Sequence, residues 1–226
     1  MKQLPFLASM LSALVGAPAM AHSINFDKVE VGYKRFSADD SGSRYNDALT
    51  GVNLAASKRF ENYYFEGRYY SVSDSFEEGY QYGEYRSVHS NVELDIRQFT
   101  FGLGYIHELD ETSLFDVSFH IGRVDLKGEF EITETYLASV SQYNSSGSSD
   151  ENIYRLRAQY QTRVLEDIEL KAGLGYEKTD GDDGDDSNPL FFVGAGYHFT
   201  EMFSLNAEYR NVDEYNTLDV NFRYSF

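Results

Sequence analysis

The sequence predicts an all-β fold, a transmembrane up-and-down antiparallel β-barrel of ten strands. Three observations predict it. Apolar and polar residues alternate with period two in ten separate segments. Aromatic residues make up 16% of the chain, with 19 Tyr, 17 Phe and no Trp, although the chain is polar on average. The links between segments are short and long in turn. Period two marks a strand with two unlike faces. A wall that meets lipid on one face and a polar interior on the other gives this composition.

The strands follow in order. In the first, Val29, Val31 and Tyr33 oppose Lys28, Glu30, Gly32 and Lys34. In the second, Val52, Leu54 and Ala56 oppose Gly51, Asn53, Ala55 and Ser57. In the third, Phe65 and Tyr69 oppose Glu66, Arg68 and Tyr70. In the fourth, Phe99, Phe101, Leu103 and Tyr105 oppose Thr100, Gly102 and Gly104. In the fifth, Phe115, Val117, Phe119 and Ile121 oppose Asp116, Ser118 and His120. In the sixth, Tyr154, Leu156, Ala158, Tyr160 and Val164 oppose Arg155, Arg157, Gln159, Gln161 and Arg163.

The last four are the cleanest. Ile168, Leu170, Ala172, Leu174 and Tyr176 oppose Glu169, Lys171, Gly173 and Gly175. Phe191, Val193, Ala195, Tyr197 and Phe199 oppose Phe192, Gly194, Gly196 and His198. Phe203, Leu205, Ala207 and Tyr209 oppose Ser204, Asn206, Glu208 and Arg210. Leu218, Val220, Phe222, Tyr224 and Phe226 oppose Asp219, Asn221, Arg223 and Ser225. The charged faces carry glycines, as a crowded interior would. The apolar faces end in Tyr or Phe near the short links, as an interfacial girdle would. A soluble barrel or sandwich would turn the charged face outward instead.

Short links fall at residues 61–62, 109–112, 166–167 and 200–202, and long ones at 37–47, 74–91, 127–151 and 177–188. The link at 212–216 is short, so strands nine and ten form a tight hairpin. Bacterial barrels pair short periplasmic turns with long outer loops, and an even strand count leaves both termini in the periplasm. A span needs about 9–11 tilted residues, so ten strands use about half the chain. Eight strands would leave two patterned segments unexplained, and twelve would need strands hidden in polar loops. Two places break the phase: Val92, Leu94 and Ile96 against Phe99 and Phe101, and Val124 and Leu126 against Ile121. Each calls for a bulge, or for a strand that has left the membrane, where facing no longer matters. The second reading is preferred for the fifth strand.

Residues 1–21 read as a secretory signal peptide. Lys2 provides the positive start, residues 4–15 an apolar stretch too short for a span, and Ala19-Met20-Ala21 the cleavage site. The barrel domain is then 22–226, beginning at His22. The chain has no Cys, so disulfides do not hold it together. Exported and amphipathic on its strands, it is expected in the outer membrane of a Gram-negative envelope.

The terminal Tyr224-Ser225-Phe226 resembles the C-terminal signature that the barrel-assembly machinery recognises. Phe101-Gly102-Leu103-Gly104-Tyr105, Lys171-Ala172-Gly173-Leu174-Gly175-Tyr176 and Val193-Gly194-Ala195-Gly196-Tyr197 are similar to the glycine-tyrosine strands of small porin-like barrels. Over nearly the whole mature chain, the order of elements resembles a family of small outer-membrane barrels of undefined activity. The resemblance implies location and architecture. It brings no catalytic, cofactor or metal residues, and none are assigned.

The formal net charge of −18 excludes nucleic acid as a partner, because phosphate contacts need a basic footprint. Alternation places Lys28, Lys34, Arg68, Arg97, Arg155, Arg157, Arg163, Lys171, Arg210 and Arg223 inside. It also places Glu30, Glu66, Glu93, Asp95, Asp116, Glu169, Glu208 and Asp219 there. Paired, these charges would plug a narrow lumen. The expected role is structural or surface-interacting, with a narrow channel for small solutes as the alternative. A lipid- or peptide-hydrolysing enzyme stands third. Expected partners are outer-membrane lipid, lipopolysaccharide and the assembly machinery, with the chain itself monomeric.

The acidic excess falls to the outer links. The run from Asp180 through Gly181, Asp182, Asp183, Gly184, Asp185, Asp186 and Ser187 to Asn188 reads as a solvated tip, with a weak divalent cation as the alternative. The serine-rich stretch Ser139 to Ser149 reads as a mobile outer loop. Tyr80, Tyr82 and Tyr85 read as an extension of the wall. His120 lies near Asp116 and Ser118, the one local cluster of Ser, His and Asp, and is expected to be a network histidine. His89 lies near Glu93 and Asp95 toward the outer rim, and His107 and His198 near periplasmic turns. His22 is terminal in the mature chain.

Overall fold

The computed structural model describes residues 24–38, 48–83, 85–137, 139–181, 184–213 and 215–226. The expected signal peptide, His22, much of the first outer link, and Asp182 and Asp183 lie outside the described residues.

Ten antiparallel strands form one closed barrel, each bonded to its chain neighbours and the first to the last. They are β1 (Lys28–Ala38), β2 (Leu49–Phe60), β3 (Tyr63–Tyr82), β4 (Arg86–Glu108) and β5 (Ser113–Tyr136), followed by β6 (Ser139–Leu165), β7 (Ile168–Gly181), β8 (Gly184–His198), β9 (Phe203–Val212) and β10 (Tyr215–Ser225). Closure leaves the membrane-level wall without a free edge, the one way strands can satisfy their backbone in lipid. The short turns fall where the sequence placed them, and the first and last described residues, Ile24 and Phe226, lie at that end.

The outward face carries a continuous apolar belt. Val31, Leu54, Phe65, Phe101, Phe119, Leu156, Leu174, Val193, Leu205 and Phe222 all point away from the lumen and are exposed. Tyr63 and Tyr105 pack edge to face, as do Tyr197 and Phe199, beside the short turns. An apolar belt with aromatic girdles around a polar interior is the surface of a membrane-spanning β-barrel of the outer-membrane type.

The barrel is lopsided. β1, β2, β9 and β10 have 10–12 residues, the length of one span, whereas β3 to β6 have 20, 23, 24 and 27. At about 3.3 Å per residue, β6 alone runs about 90 Å along its length. The expected outer loops at 74–91, 127–151 and 177–188 are therefore largely strand, with β3 paired to β4, β5 to β6 and β7 to β8 nearly to their outer ends. The Ser139 to Ser149 stretch is not a loop. Each of its residues is registered on β5, from Ser139 opposite Tyr136 to Ser149 opposite Leu126. Tyr80 and Tyr82 lie on the extended β3, with Tyr85 in the β3–β4 turn, so the wall-extension reading holds.

The phase breaks need no bulge. The registers of β4 with β3 and with β5 run unbroken through both places. What changes is polarity. On the outward face, Ser71, Arg97, Asp125 and Asp150 stand side by side on successive strands, just beyond the last belt residues. At the same level, Val72, Ile96, Val124 and Ile153 point inward and are buried, together with Leu49, Tyr70 and Phe76. Facing still matters there, with its sense reversed. Beyond the lipid the wall becomes an ordinary soluble sheet, apolar within and charged without.

The same parity corrects three lumen assignments. Glu93, Asp95 and Arg97 share the odd, outward face of β4 with Phe99, and Arg97 pairs with Asp95 on the exterior. Glu177, which was not placed, points inward and is buried.

Candidate functional site

The lumen is built from inward side chains at three heights. At the periplasmic end, Ile24 and Phe26 precede β1 and tuck inside against Tyr64, Ile106 and Leu114. The Phe26 and Tyr64 rings lie 4.5 Å apart. Ser57 Oγ donates to the Phe26 carbonyl at 2.6 Å, and the Phe226 amide donates to the Asp27 carbonyl at 3.0 Å, which fastens the two chain ends together. Phe226 itself is covered, next to Tyr224 and under the Lys58 ammonium, so it is less of a lipid contact than its parity suggested.

Sequence reasoning overlooked Ile24 and Phe26. They continue the even parity of Glu30 and Lys34, and that was the available signal.

Above this gate the lumen is filled by a set of charged clusters. Glu30 and Glu169 share the Arg223 guanidinium at 2.6 and 3.1 Å, and Gln161 Nε2 donates to Glu169 at 2.7 Å. His198, the last residue of β8 beside the short turn, points inward, with Nε2 3.1 Å from Glu169. Glu208 gathers Lys171 at 2.6 Å and Arg210 at 2.8 Å, with Arg157 at 3.6 Å. Glu66 takes Arg68 at 2.6 Å and His120 at 3.0 Å. Asp219 accepts from Lys34 at 2.7 Å and Asn53 at 3.0 Å. Arg155 Nε donates to Glu177 at 2.6 Å, and Tyr215 Oη also donates to Glu177. The Arg157 guanidinium lies over the Phe192 ring at 4.0 Å. Nearly every sequence-assigned interior charge meets an opposite one here. That is the condition under which buried charge is tolerated.

Glycines make room for this packing. A Cβ on Gly102 would sit 2.2 Å from the His120 ring opposite it, and one on Gly104 would sit 2.2 Å from the Tyr64 ring. In the 101–105 segment the two glycines are thus a steric device: each leaves an inward position empty beside a large ring on the neighbouring strand, while Tyr105 itself faces out.

The hydrolytic cluster does not assemble. His120 turns Nε2 to Glu66, and Asp116 accepts from Tyr64 Oη at 2.8 Å. Among the described residues no serine hydroxyl hydrogen-bonds a histidine. His89, Glu93 and Asp95 lie on the exposed outward face of β4.

At the outer end, a vestibule of about 370 Å³ sits on the apolar layer. Tyr70, Ile96, Val124 and Ile153 form one side of it, and Phe36 and Tyr215, stacked at 4.9 Å, form another part. The β6–β8 side is different: Glu151, Glu177, Thr179, Asp186 and Asn188 face the same space.

The acidic run forms the β7–β8 hairpin beside this vestibule. Lys178 Nζ donates to Asp185 at 2.7 Å, which lowers the pKa of Asp185 below its ordinary value and raises that of Lys178. Asp186 accepts from the Ser187 amide at 2.8 Å and from Asn188 Nδ2 at 2.7 Å. Among the described residues no three His, Asp or Glu side chains converge as a metal site. In the β4–β5 turn, the Thr112 amide and hydroxyl donate to Asp110 and depress its pKa.

No family model matches the chain, and no curated protein sequence does. Among solved structures, Ail of Yersinia pestis in complex with the heparin analogue sucrose octasulfate aligns at 15% identity. The alignment covers 87% of this chain and 97% of that one, with a TM-score of 0.44. The NanC porin aligns at 12% identity over 88% and 99%, TM-score 0.44. The KdgM porin in complex with disordered oligogalacturonate aligns at 14% over 87% and 99%, TM-score 0.41.

Proposed function

We propose that this protein is a non-conducting outer-membrane barrel that anchors and displays an interaction surface outside the cell. The observation that carries the reading is side-chain packing inside the barrel at three heights. Ile24 and Phe26 pack at the periplasmic end, the Arg223 and Glu208 clusters occupy the middle, and the Val72 cluster packs along the β2–β6 side above them. A conducting path would have to break buried ion pairs, at a cost of about 3–5 kcal/mol for each partner lost.

What rises above the roof is display. The extended β3–β6 hairpins expose Tyr82, Tyr85, Tyr136, Val140 and Tyr143 in water, the kind of surface that marks interaction sites. Outer-membrane lipid and lipopolysaccharide are the partners the belt fits. The strand ending at Phe226 is the part offered to the assembly machinery, and the monomer suffices for closure.

Purified protein in a planar bilayer tests the closure. Only baseline current, without stable openings, is expected. Large, long-lived openings would overturn it in favour of a channel for small solutes.

A further inference from the structure

We infer that the outer vestibule binds a small organic cation, an ammonium carried on an aromatic or alkyl body. The volume of about 370 Å³ falls in the range of about 300–1,000 Å³ typical of small-molecule sites. The lining is divided rather than mixed. Tyr70, Val124 and Ile153 offer an apolar wall from β3, β5 and β6, and Phe36 with Tyr215 adds aromatic faces from β1 and β10. Aromatic faces attract cations, and in this barrel one already does so: Lys34 Nζ sits 4.7 Å from the Tyr70 ring centre.

Charge sets the sign of the ligand. Among the described residues no cation lines the vestibule. Glu177 at its floor is neutralised by Arg155, whereas Glu151 and Asp186 form no ion pair among the described residues. An anion would meet these two carboxylates unscreened. A bare polyamine would satisfy them and leave the apolar wall wet. An ammonium on an apolar stem satisfies both sides at once. A metal ion would need converging carboxylates, which the described residues do not supply. The site is open at its outer end and does not depend on whether the lumen conducts.

The test uses the purified full-length protein in detergent micelles. Dansylcadaverine is the probe, dansylglycine its anionic counterpart and spermidine the cation without an apolar body. Dansylcadaverine is expected to bind saturably, above the signal of empty micelles, and more weakly as salt rises. Glu151→Gln and Asp186→Asn should each weaken binding about fivefold, the scale of one partly exposed ion pair. Leu126→Asn, on the apolar side, should weaken it while Glu151 and Asp186 are intact. The unchanged shift of the unboiled band on a gel certifies that each variant is a folded barrel. Equal binding of dansylglycine overturns the proposal, as does wild-type affinity in both acid variants. Spermidine binding as tightly as dansylcadaverine also overturns it, because the apolar wall would then play no part.

Discussion

β4 and β5 pass through two storeys without a change of register, and the storeys are opposites. Within the membrane, Phe99, Phe101 and Ile121 point out, and Thr100 and His120 point in. Above it, Arg97 and Asp125 point out, and Ile96 and Val124 point in. Pleat geometry is the same in both, so geometry does not decide which face is apolar. The surrounding solvent does. Lipid demands an apolar exterior and leaves the lumen to charges, whereas water demands the reverse. The lower storey is therefore held by paired ions, and the upper by dispersion and the hydrophobic effect.

The largest break in this comparison comes from the lower network. Arg223 is almost fully buried between Glu30 and Glu169. Arg223→Met leaves two carboxylates sharing less positive charge and should cost about 3–5 kcal/mol. Urea unfolding in lipid vesicles measures it. An unchanged midpoint would mean that the network is not what holds the lower storey.

The exterior gives the next effect. Leu103→Arg places a charge in the belt and should cost about 2–4 kcal/mol. Ser73→Arg introduces the same side chain on the same face one storey up, beside Asp95, and should stay within about 0.5 kcal/mol. Similar costs at both positions would erase the boundary drawn at Ser71, Arg97 and Asp125.

A pair of nearly isosteric exchanges tests the interior. Val72 and Thr100 are both buried and inward, in the upper and lower storeys. Val72→Thr brings a hydroxyl into an apolar layer and should cost about 1–3 kcal/mol. Thr100 Oγ1 is buried without a hydrogen-bond partner, so Thr100→Val should be neutral or slightly stabilising. Equal and opposite results in the same urea assay would show that the lower lumen prefers apolar groups too, and that its charges are tolerated only where paired.

The lower storey was legible because period two needs no tertiary information. Ten strands, four periplasmic turns and most interior charges follow from alternation alone. The upper storey was not, because polarity alone does not report which face a residue is on. Polarity alone puts Arg97, Asp95 and Glu93 inside, although they share odd parity with Phe99. Ser139 to Ser149 has the composition of a loop, yet its backbone finds a full ladder on β5. Strand pairing can hold a sequence whose side chains express no strand preference. Counting parity from Phe99 or Ile121 outward would have recovered the inversion. The vestibule could not have been read this way, since eight strands contribute to it from positions set only by closure.

The smallest expected effect separates the two kinds of ion pair. Lys178 and Asp185 join β7 to β8 outside the membrane, in full contact with water. The folded pKa of Asp185 lies below its ordinary 3.8, so its contribution is present above that value and fades as pH falls through the lowered one. The Lys178 pKa is raised above 10.5, so its contribution is present below that value and fades as pH climbs through the raised one. Between these limits the hairpin is at its tightest. Amide-exchange protection factors of the hairpin, corrected for intrinsic rate, should drop when pH is taken from 7 to 3. Lys178→Met should remove most of that drop while leaving the urea midpoint of the barrel unmoved. A shifted midpoint would show that an exposed pair props the barrel as the buried ones do, and the two storeys would then share one source of stability.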